Sequence, residues 1–333
     1  MTCHTRLERA LTATIAAAWL LAASCGGSSE PDVTLPTDVP AEASPSDPGR
    51  ATVVAVGDIA CGAAPAEQGI ECRYDTVADA VIDEQPDLFL ALGDLQYVNP
   101  SGEIDFSFYD GAFGDLRSIT VPTAGDEDWG VDREAFEAYF GGRTTETGYD
   151  ALEVAGWQVL VLNSQDCFDD DGCGEGSEQY EWLREQLDAD APGTDERCTL
   201  AIWHDPRFLW APWWEKDGVP REAQEHVAPF WTLLGAAGAE VVLNANAHHY
   251  ERWTPIGADG DPSPMGITEF VVGTGGKSLV PLGTQPRPES LEVAQAEEFG
   301  ALVLDLHADE LDFRWRGAEP GGSFSDEGTI DCH

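Results

Sequence analysis

Five apolar runs in this chain each lead into a residue type that binds metal ions, and their order constrains the fold more than any other feature. Ala51 to Val56 leads to Asp58, Asp87 to Leu92 leads to Asp94 and Tyr97, and Ile119 to Pro122 leads to Asp126. Thr199 to Trp203 leads to His204, and Val241 to Leu243 leads to Asn246 and His248. Short aliphatic or β-branched runs read as strands buried on both faces. Each then delivers a carboxylate, imidazole or amide at a strand's C-terminal end, the usual place for a site in an α/β sheet.

The intervening segments fit that frame. Tyr74 to Glu84 carries Val77, Ala78, Ala80 and Val81 at helical spacing, so the opening is strand, helix, strand. Further helices are expected over Arg133 to Phe140, Gln179 to Leu187 and Glu222 to Ala237, with a hairpin of Tyr149 to Val154 and Trp157 to Leu162. Late strands at 268–272, 300–306 and 311–316 are expected to be antiparallel. A hydrophobic fraction of 42% with 11 Trp supports a sizeable core, read as one domain over 51–333.

Before that domain the composition changes twice. Arg6 and Arg9 precede the charge-free apolar stretch Leu11 to Ala23, too short for a comfortable membrane span, so residues 1–25 read as an export signal. It ends Leu21-Ala-Ala-Ser-Cys25, similar to a bacterial lipobox but with Ala22 three positions before the cysteine, and predicts a lipid anchor on Cys25. Residues 26–50 are rich in Ser, Pro, Asp, Glu and Gly and read as a disordered acidic tether. The location expected is extracytoplasmic, membrane-anchored or otherwise secreted.

Export places Cys61, Cys72, Cys167, Cys173, Cys198 and Cys332 in an oxidising setting. Fifteen connectivities exist for six cysteines. The short local loops favour Cys61 with Cys72 and Cys167 with Cys173, leaving Cys198 for Cys332. A formal net charge of −45 argues against nucleic acid or an anionic membrane surface as partner.

Five blocks carry a family resemblance: Val56-Gly-Asp-Ile-Ala-Cys61, Ala91-Leu-Gly-Asp-Leu-Gln-Tyr97, Trp203-His-Asp-Pro-Arg-Phe208, Val242-Leu-Asn-Ala-Asn-Ala-His-His-Tyr-Glu-Arg252 and Val272-Gly-Thr-Gly-Gly-Lys277. In this order they resemble the purple acid phosphatase-like branch of the calcineurin-like metallophosphoesterases, over roughly 51–333. The resemblance implies an α/β fold, a four-layer α/β/β/α sandwich of two mixed sheets. It also implies two metal ions and a small phosphate mono- or diester as substrate, hydrolysed through a metal-activated hydroxide.

Carried over position by position, the resemblance assigns Asp58, Asp94, Tyr97 and His248 to a first ion, for which the phenolate and carboxylates suit Fe(III). The second ion falls to Asp94, Asp126, His204 and Asn246. There a carboxylate replaces an expected amide and an amide replaces an expected imidazole. That oxygen-rich set favours Mn²⁺, Mg²⁺ or Ca²⁺ over Zn²⁺, or leaves the position empty.

The catalytic positions also depart. Glu127 stands where the family has a phosphate-contacting His, and Asp205 where relatives often show a second His. General acid catalysis contributes roughly 10²–10⁴-fold, so the change at Glu127 points to a slowed enzyme. Where Asp126 is not neutralised by metal, the fields of Asp126 and Asp128 are expected to raise the Glu127 pKa, whereas an ionised Glu127 would repel a phosphate dianion. The competing reading is a pseudophosphatase, a surface lipoprotein that binds metal or phosphate without turnover. Trp210, Trp213 and Trp214 form a candidate aromatic wall beside the site, whereas His226 and His249 read as surface or packing residues.

Overall fold

The computed structural model describes residues 49–62, 72–141, 147–168, 172–188, 197–211, 224–284 and 286–332. The chain divides into Met1–Val39 and Pro40–His333. The expected export signal, Cys25 and nearly all of the tether lie outside the described residues, as do Trp213 and Trp214. No helix among the described residues is long and apolar enough to cross a membrane.

Alternation of side chains along the strands creates two packed interfaces. The first sheet contains β1 (Arg50–Val56), β2 (Leu88–Ala91), β3 (Thr120–Pro122), β11 (Gly300–His307), β12 (Glu310–Gly317) and β13 (Glu327–Asp331), in the order β13-β12-β11-β1-β2-β3. The second contains β4 (Asp150–Val154), β5 (Trp157–Val161), β6 (Thr199–Ile202), β7 (Val241–Asn244), β8 (Tyr250–Trp253), β9 (Thr268–Val272) and β10 (Leu291–Gln295), in the order β10-β8-β9-β7-β6-β5-β4. On β5, β6 and β7, Val159, Val161, Leu200, Ile202, Val241 and Leu243 join a core shared with β1, β2 and β11. Their neighbours Leu160, Ala201 and Val242 face the opposite way, into a second cluster. A period of two buried on both faces is what a sheet covered on both sides requires.

Among the described residues, five α-helices cover the outer faces. α1 (Tyr74–Asp83) and α2 (Ser107–Phe113) lie on the first sheet, where Phe113 stacks on Phe89 at 5.4 Å between ring centroids. α3 (Trp129–Phe140) packs beside them through Phe136 against Phe106. α4 (Glu178–Gln186) and α5 (Ala228–Ala237) supply Leu183, Phe230, Trp231 and Leu234 to the outer cluster of the second sheet. The result is two mixed sheets with helices on both sides, the expected α/β architecture.

Several boundaries and pairings differ from the sequence reading. The helix expected from Arg133 starts at Trp129, because the Asp128 carboxylate accepts the Trp129 N–H; non-helical dihedrals at Asp132 then kink it. The helix expected from Glu222 becomes a 3₁₀ turn at Glu225–Val227 followed by α5, whose first turn accommodates Pro229. Strand 268–272 is antiparallel only to β8; its other neighbour, β7, runs parallel to it. The three disulfides pair as the short loops favoured: Cys61–Cys72, Cys167–Cys173 and Cys198–Cys332.

Candidate metal centre

The parallel strands β1, β2 and β3 of one sheet and β5, β6, β7 and β9 of the other end at one edge. Backbone hydrogen bonds join the two sheets there: Gly57 N–H donates to Val272 O at 3.0 Å, and Gly275 N–H to Gly57 O at 2.9 Å. All seven expected metal-ligand residues lie at this edge.

The ligand residues share an unusual backbone. Asp58, Asp94, Asn246 and His248 have φ values of 57°, 52°, 65° and 49°. Non-glycine residues rarely adopt this left-handed region, although Asp, Asn and His tolerate it best. Four such residues at one edge turn their side chains sharply off the strand ends, and such strain clusters at functional sites. Two glycines allow the close approach. A Cβ on Gly125 would lie 2.3 Å from Asp94 Oδ1, and one on Gly273 would lie 2.4 Å from Asp58 Oδ2.

Asp58, Asp94 and His204 form the buried centre, with one ligand atom from each within 4.8 Å of the others. The His204 Nδ1–H donates to the Leu92 carbonyl at 2.8 Å, which fixes the ring and leaves Nε2 as the ligand atom. Nε2 lies 3.3 Å from both Asp94 Oδ1 and Asp126 Oδ1. His204 Nε2 thus faces two carboxylates as an ion pair without a hydrogen bond, and Asp58 Oδ2 is buried with no hydrogen-bond partner. Leaving a buried polar group unpaired costs about 1–3 kcal/mol, more for a charge. A bound cation removes that penalty, so the donor set fits a metal.

Beside this trio, the Tyr97 hydroxyl donates to Asp58 Oδ1 at 3.0 Å and lies 2.8 Å from His248 Nε2. His248 is oriented as His204 is, through Nδ1 at 2.9 Å from the Ser278 carbonyl. On the other side Asp126 is open to solvent, its side chain 53% exposed, while Asn246 is half-buried. The amide of Asn246 donates to Asp205 Oδ1 at 2.8 Å, which leaves its oxygen as the atom available to a metal.

The electrostatics follow from packing carboxylates together. Burial pushes Asp94 up to about 6, against the His204 charge. Burial alone would lower His204, but Asp94 and the contact with Asp126 outweigh it and hold the ring well above its ordinary value. Burial, then Asp58 and Asp94, hold the Tyr97 phenol far above its usual range. Glu127 is raised as expected, with burial a larger cause than the Asp126 field, and Lys277 opposes the shift.

Asp94, Tyr97, Asp126, Asn246, His248 and Lys277 line a cavity of about 560 Å³ together with Val98, Asn99, Pro100 and Val280, while Asp58 and His204 lie beneath it. Glu127 belongs to it. Asp205, expected as a catalytic group, does not: it is 2% exposed, and its Oδ2 accepts from Ser164 Oγ at 2.7 Å and Gln165 Nε2 at 2.8 Å. Its carboxylate is taken up by Ser164, Gln165 and the Asn246 amide, which keeps it out of the lining. Trp210 packs on the outer cluster of the second sheet and is not in the lining. His249 is buried against Glu251 at 2.8 Å and His226 lies on Phe168, so both are packing residues.

Two site residues were not anticipated. Lys277 lines the cavity with Nζ 3.9 Å from the Tyr97 ring centroid. Its signal was available, since it is one of only two lysines in the chain and ends the fifth motif block. Asp128 is fully buried and accepts from the N–H groups of Leu95, Gly125 and Trp129, which ties the Asp126 loop to the Asp94 turn.

No family model matches the chain. It is 29% identical over 164 residues to purple acid phosphatase 18 of Arabidopsis thaliana, covering 47% of this chain and 34% of that protein. Against purple acid phosphatase 15 of the same plant it is 25% identical over 278 residues, covering 73% of this chain and 47% of that protein. The matches thus span less than half the length of these relatives. Among solved structures, the yellow lupin seed purple acid phosphatase PPD1 superposes with a TM-score of 0.66 at 17% identity, over 85% of this chain and 54% of that one. A dimetal phosphatase from Danio rerio superposes at 0.53 and 13% identity, over 85% of this chain and 99% of that one. The chain is a homologue of proteins named purple acid phosphatase and shares the two-sheet fold of the lupin purple acid phosphatase and the Danio rerio dimetal phosphatase.

Proposed function

We propose that the protein is an exported, metal-dependent phosphoesterase that hydrolyses small phosphate mono- or diesters. The observation that carries this reading is the buried Asp58, Asp94 and His204 trio, in which Asp58 Oδ2 and His204 Nε2 make no hydrogen bond and Asp94 opens onto a solvent-reaching cavity. Asp58, Asp94, Tyr97 and His248 would hold one ion. Asp94, Asp126, His204 and Asn246 would hold another. When bound, such ions polarise phosphoryl oxygens and make water a better nucleophile at neutral pH.

The chain's own residues do the rest. His204 and His248 present Nε2 because Leu92 and Ser278 engage their other nitrogens. Asp205 acts as a positioning residue that turns the Asn246 oxygen toward the ion. Glu127, half-buried in the cavity lining with its pKa raised by burial and the Asp126 field, is the candidate proton donor to the leaving alkoxide. The phenolate of Tyr97 suits Fe(III), and the oxygen-rich second set suits Mn²⁺, Mg²⁺ or Ca²⁺ over Zn²⁺.

Export with a lipid anchor on Cys25 belongs to the same proposal, and the three disulfides support the extracytoplasmic part of it. The test is metal analysis of the purified protein alongside hydrolysis of an aryl phosphate under several added ions. Bound metal with turnover supports the enzyme. Bound metal and phosphate without turnover under any ion would favour the pseudophosphatase.

A further inference from the structure

The chain has a formal net charge of −45 and only two lysines, yet one of them is built into the metal cavity. Lys277 is the only Lys or Arg among the described residues that line it; Asp94, Asp126 and Glu127 supply the carboxylates. Its backbone is fixed from two sides. The Lys277 N–H donates to Asp58 O at 3.0 Å, and the carbonyl of Gly276 accepts from Arg73 N at 2.8 Å. At Gly276, with φ of 137°, a Cβ would come within 2.3 Å of Tyr74 Cα, so the turn needs glycine to bring the next residue to the site.

The side chain is held as well. Its ammonium lies over the Tyr97 ring, a cation–π contact that keeps Nζ beside a metal-ligand residue. A lysine kept only for solubility would extend into water. This one is half-buried where an anionic substrate must enter. Glu127 occupies the place of the expected phosphate-contacting imidazole and cannot supply positive charge. The cavity therefore has one fixed cation of its own.

We propose that Lys277 is the phosphate-binding cation of this site, donating from Nζ to a non-bridging phosphoryl oxygen. The inference rests on the phosphoesterase reading. An ammonium acts as a point charge on phosphate and does not demand the planar fork of arginine, which suits a small cavity that also admits metal ligands. Lys277 thereby takes over the charge-neutralising part of the missing imidazole's work, while Glu127 keeps the proton-donating part.

The test uses the full metal-loaded protein and inorganic phosphate as probe. Calorimetric titration should show Lys277→Met binding phosphate at least about tenfold more weakly at unchanged metal content, since a charged hydrogen bond contributes roughly 1.5–3 kcal/mol. Lys277→Arg should recover most of the affinity. A crystal of the parent protein with orthovanadate gives a second measurement that needs no variant. It should place Nζ within hydrogen-bond distance of a vanadate oxygen.

Phosphate affinity unchanged in Lys277→Met, or Nζ still over Tyr97 and away from the anion, overturns the inference. If the parent hydrolyses aryl phosphate under those results, the phosphoesterase reading stands alone. If the parent binds phosphate through Lys277 but hydrolyses nothing, the inference stands and that reading falls. A metal-loaded parent that neither binds phosphate nor hydrolyses an ester removes both.

Discussion

The Asn246 side-chain amide donates to Asp205 Oδ1 at 2.8 Å, so a buried carboxylate sets which end of a candidate ligand faces the metal cavity. Asp205 is itself held by Ser164 and Gln165. Asp205→Ala frees the amide to rotate and strands those two donors. Metal affinity at the Asn246 position is expected to fall by roughly 10–100-fold, with about 1–3 kcal/mol of stability lost. Metal titration and chemical denaturation check both; a variant that takes up metal as the parent does contradicts the positioning role.

Asp94 is the one carboxylate assigned to both ions, and its Oδ1 also accepts the Glu127 N–H at 2.9 Å. Asp94→Asn should abolish binding at both positions together. The readout is metal per chain by elemental analysis. Loss of a single equivalent would mean that Asp94 is not shared.

Metal-dependent stabilisation should grow with pH. Burial raises Asp94 to about 6, and Asp94 and Asp126 hold His204 well above its ordinary value despite burial. Both shifts favour the protonated form in the metal-free fold. The contribution of these two groups to the stability of the metal-free fold therefore falls as pH rises from about 4 through 6, then further as His204 loses its proton. Metal competes with the same protons. The drop in Tm on adding a chelator should be larger at pH 7.5 than at pH 5, and an equal drop at both would contradict the coupling.

Glu127 gives a leaving-group test. A proton donor matters for a poor leaving group and hardly for a good one. Glu127→Gln should reduce kcat for an alkyl phosphate by about 10²-fold or more and change little for p-nitrophenyl phosphate. Equal effects on both substrates would reduce Glu127 to a binding residue.

The Cys198–Cys332 bridge closes a separation of 134 residues and ties the start of β6 to the end of β13, so one covalent bond links the two sheets. Cys167–Cys173 closes only 6. Replacing the first pair by alanine should destabilise by roughly 3–5 kcal/mol, clearly more than replacing the second, because loop-closure entropy grows with length. Urea unfolding of the two double variants provides the comparison.

The site was legible in the sequence where it follows from strand ends. Buried runs with one ligand residue just past each could be read as converging on one edge, and they do. Lys277 was not assigned, because its place depends on the 273–280 turn folding back onto Asp58 and His248 across the gap between sheets. Asp205 lies outside the cavity lining for a related reason: adjacency to His204 in sequence does not reveal that Ser164, Gln165 and Asn246 take up its carboxylate. Outside the site, β13 has a largely exposed Glu-Gly-Thr-Ile-Asp sequence with no apolar alternation and forms only by pairing with β12. Helix α2 depends on aromatic stacking of Phe113 against Phe89, a contact between distant segments.

The central claim is that Asp58, Asp94 and His204 anchor a metal site that hydrolyses phosphate esters. Elemental analysis of the purified protein, run beside aryl phosphate hydrolysis before and after chelation, tests it most directly. The account predicts about two ions per chain, activity that disappears on chelation and returns with added metal, and neither metal nor activity in Asp94→Asn. A parent protein that binds no metal, or hydrolysis that survives both chelation and Asp94→Asn, would contradict it.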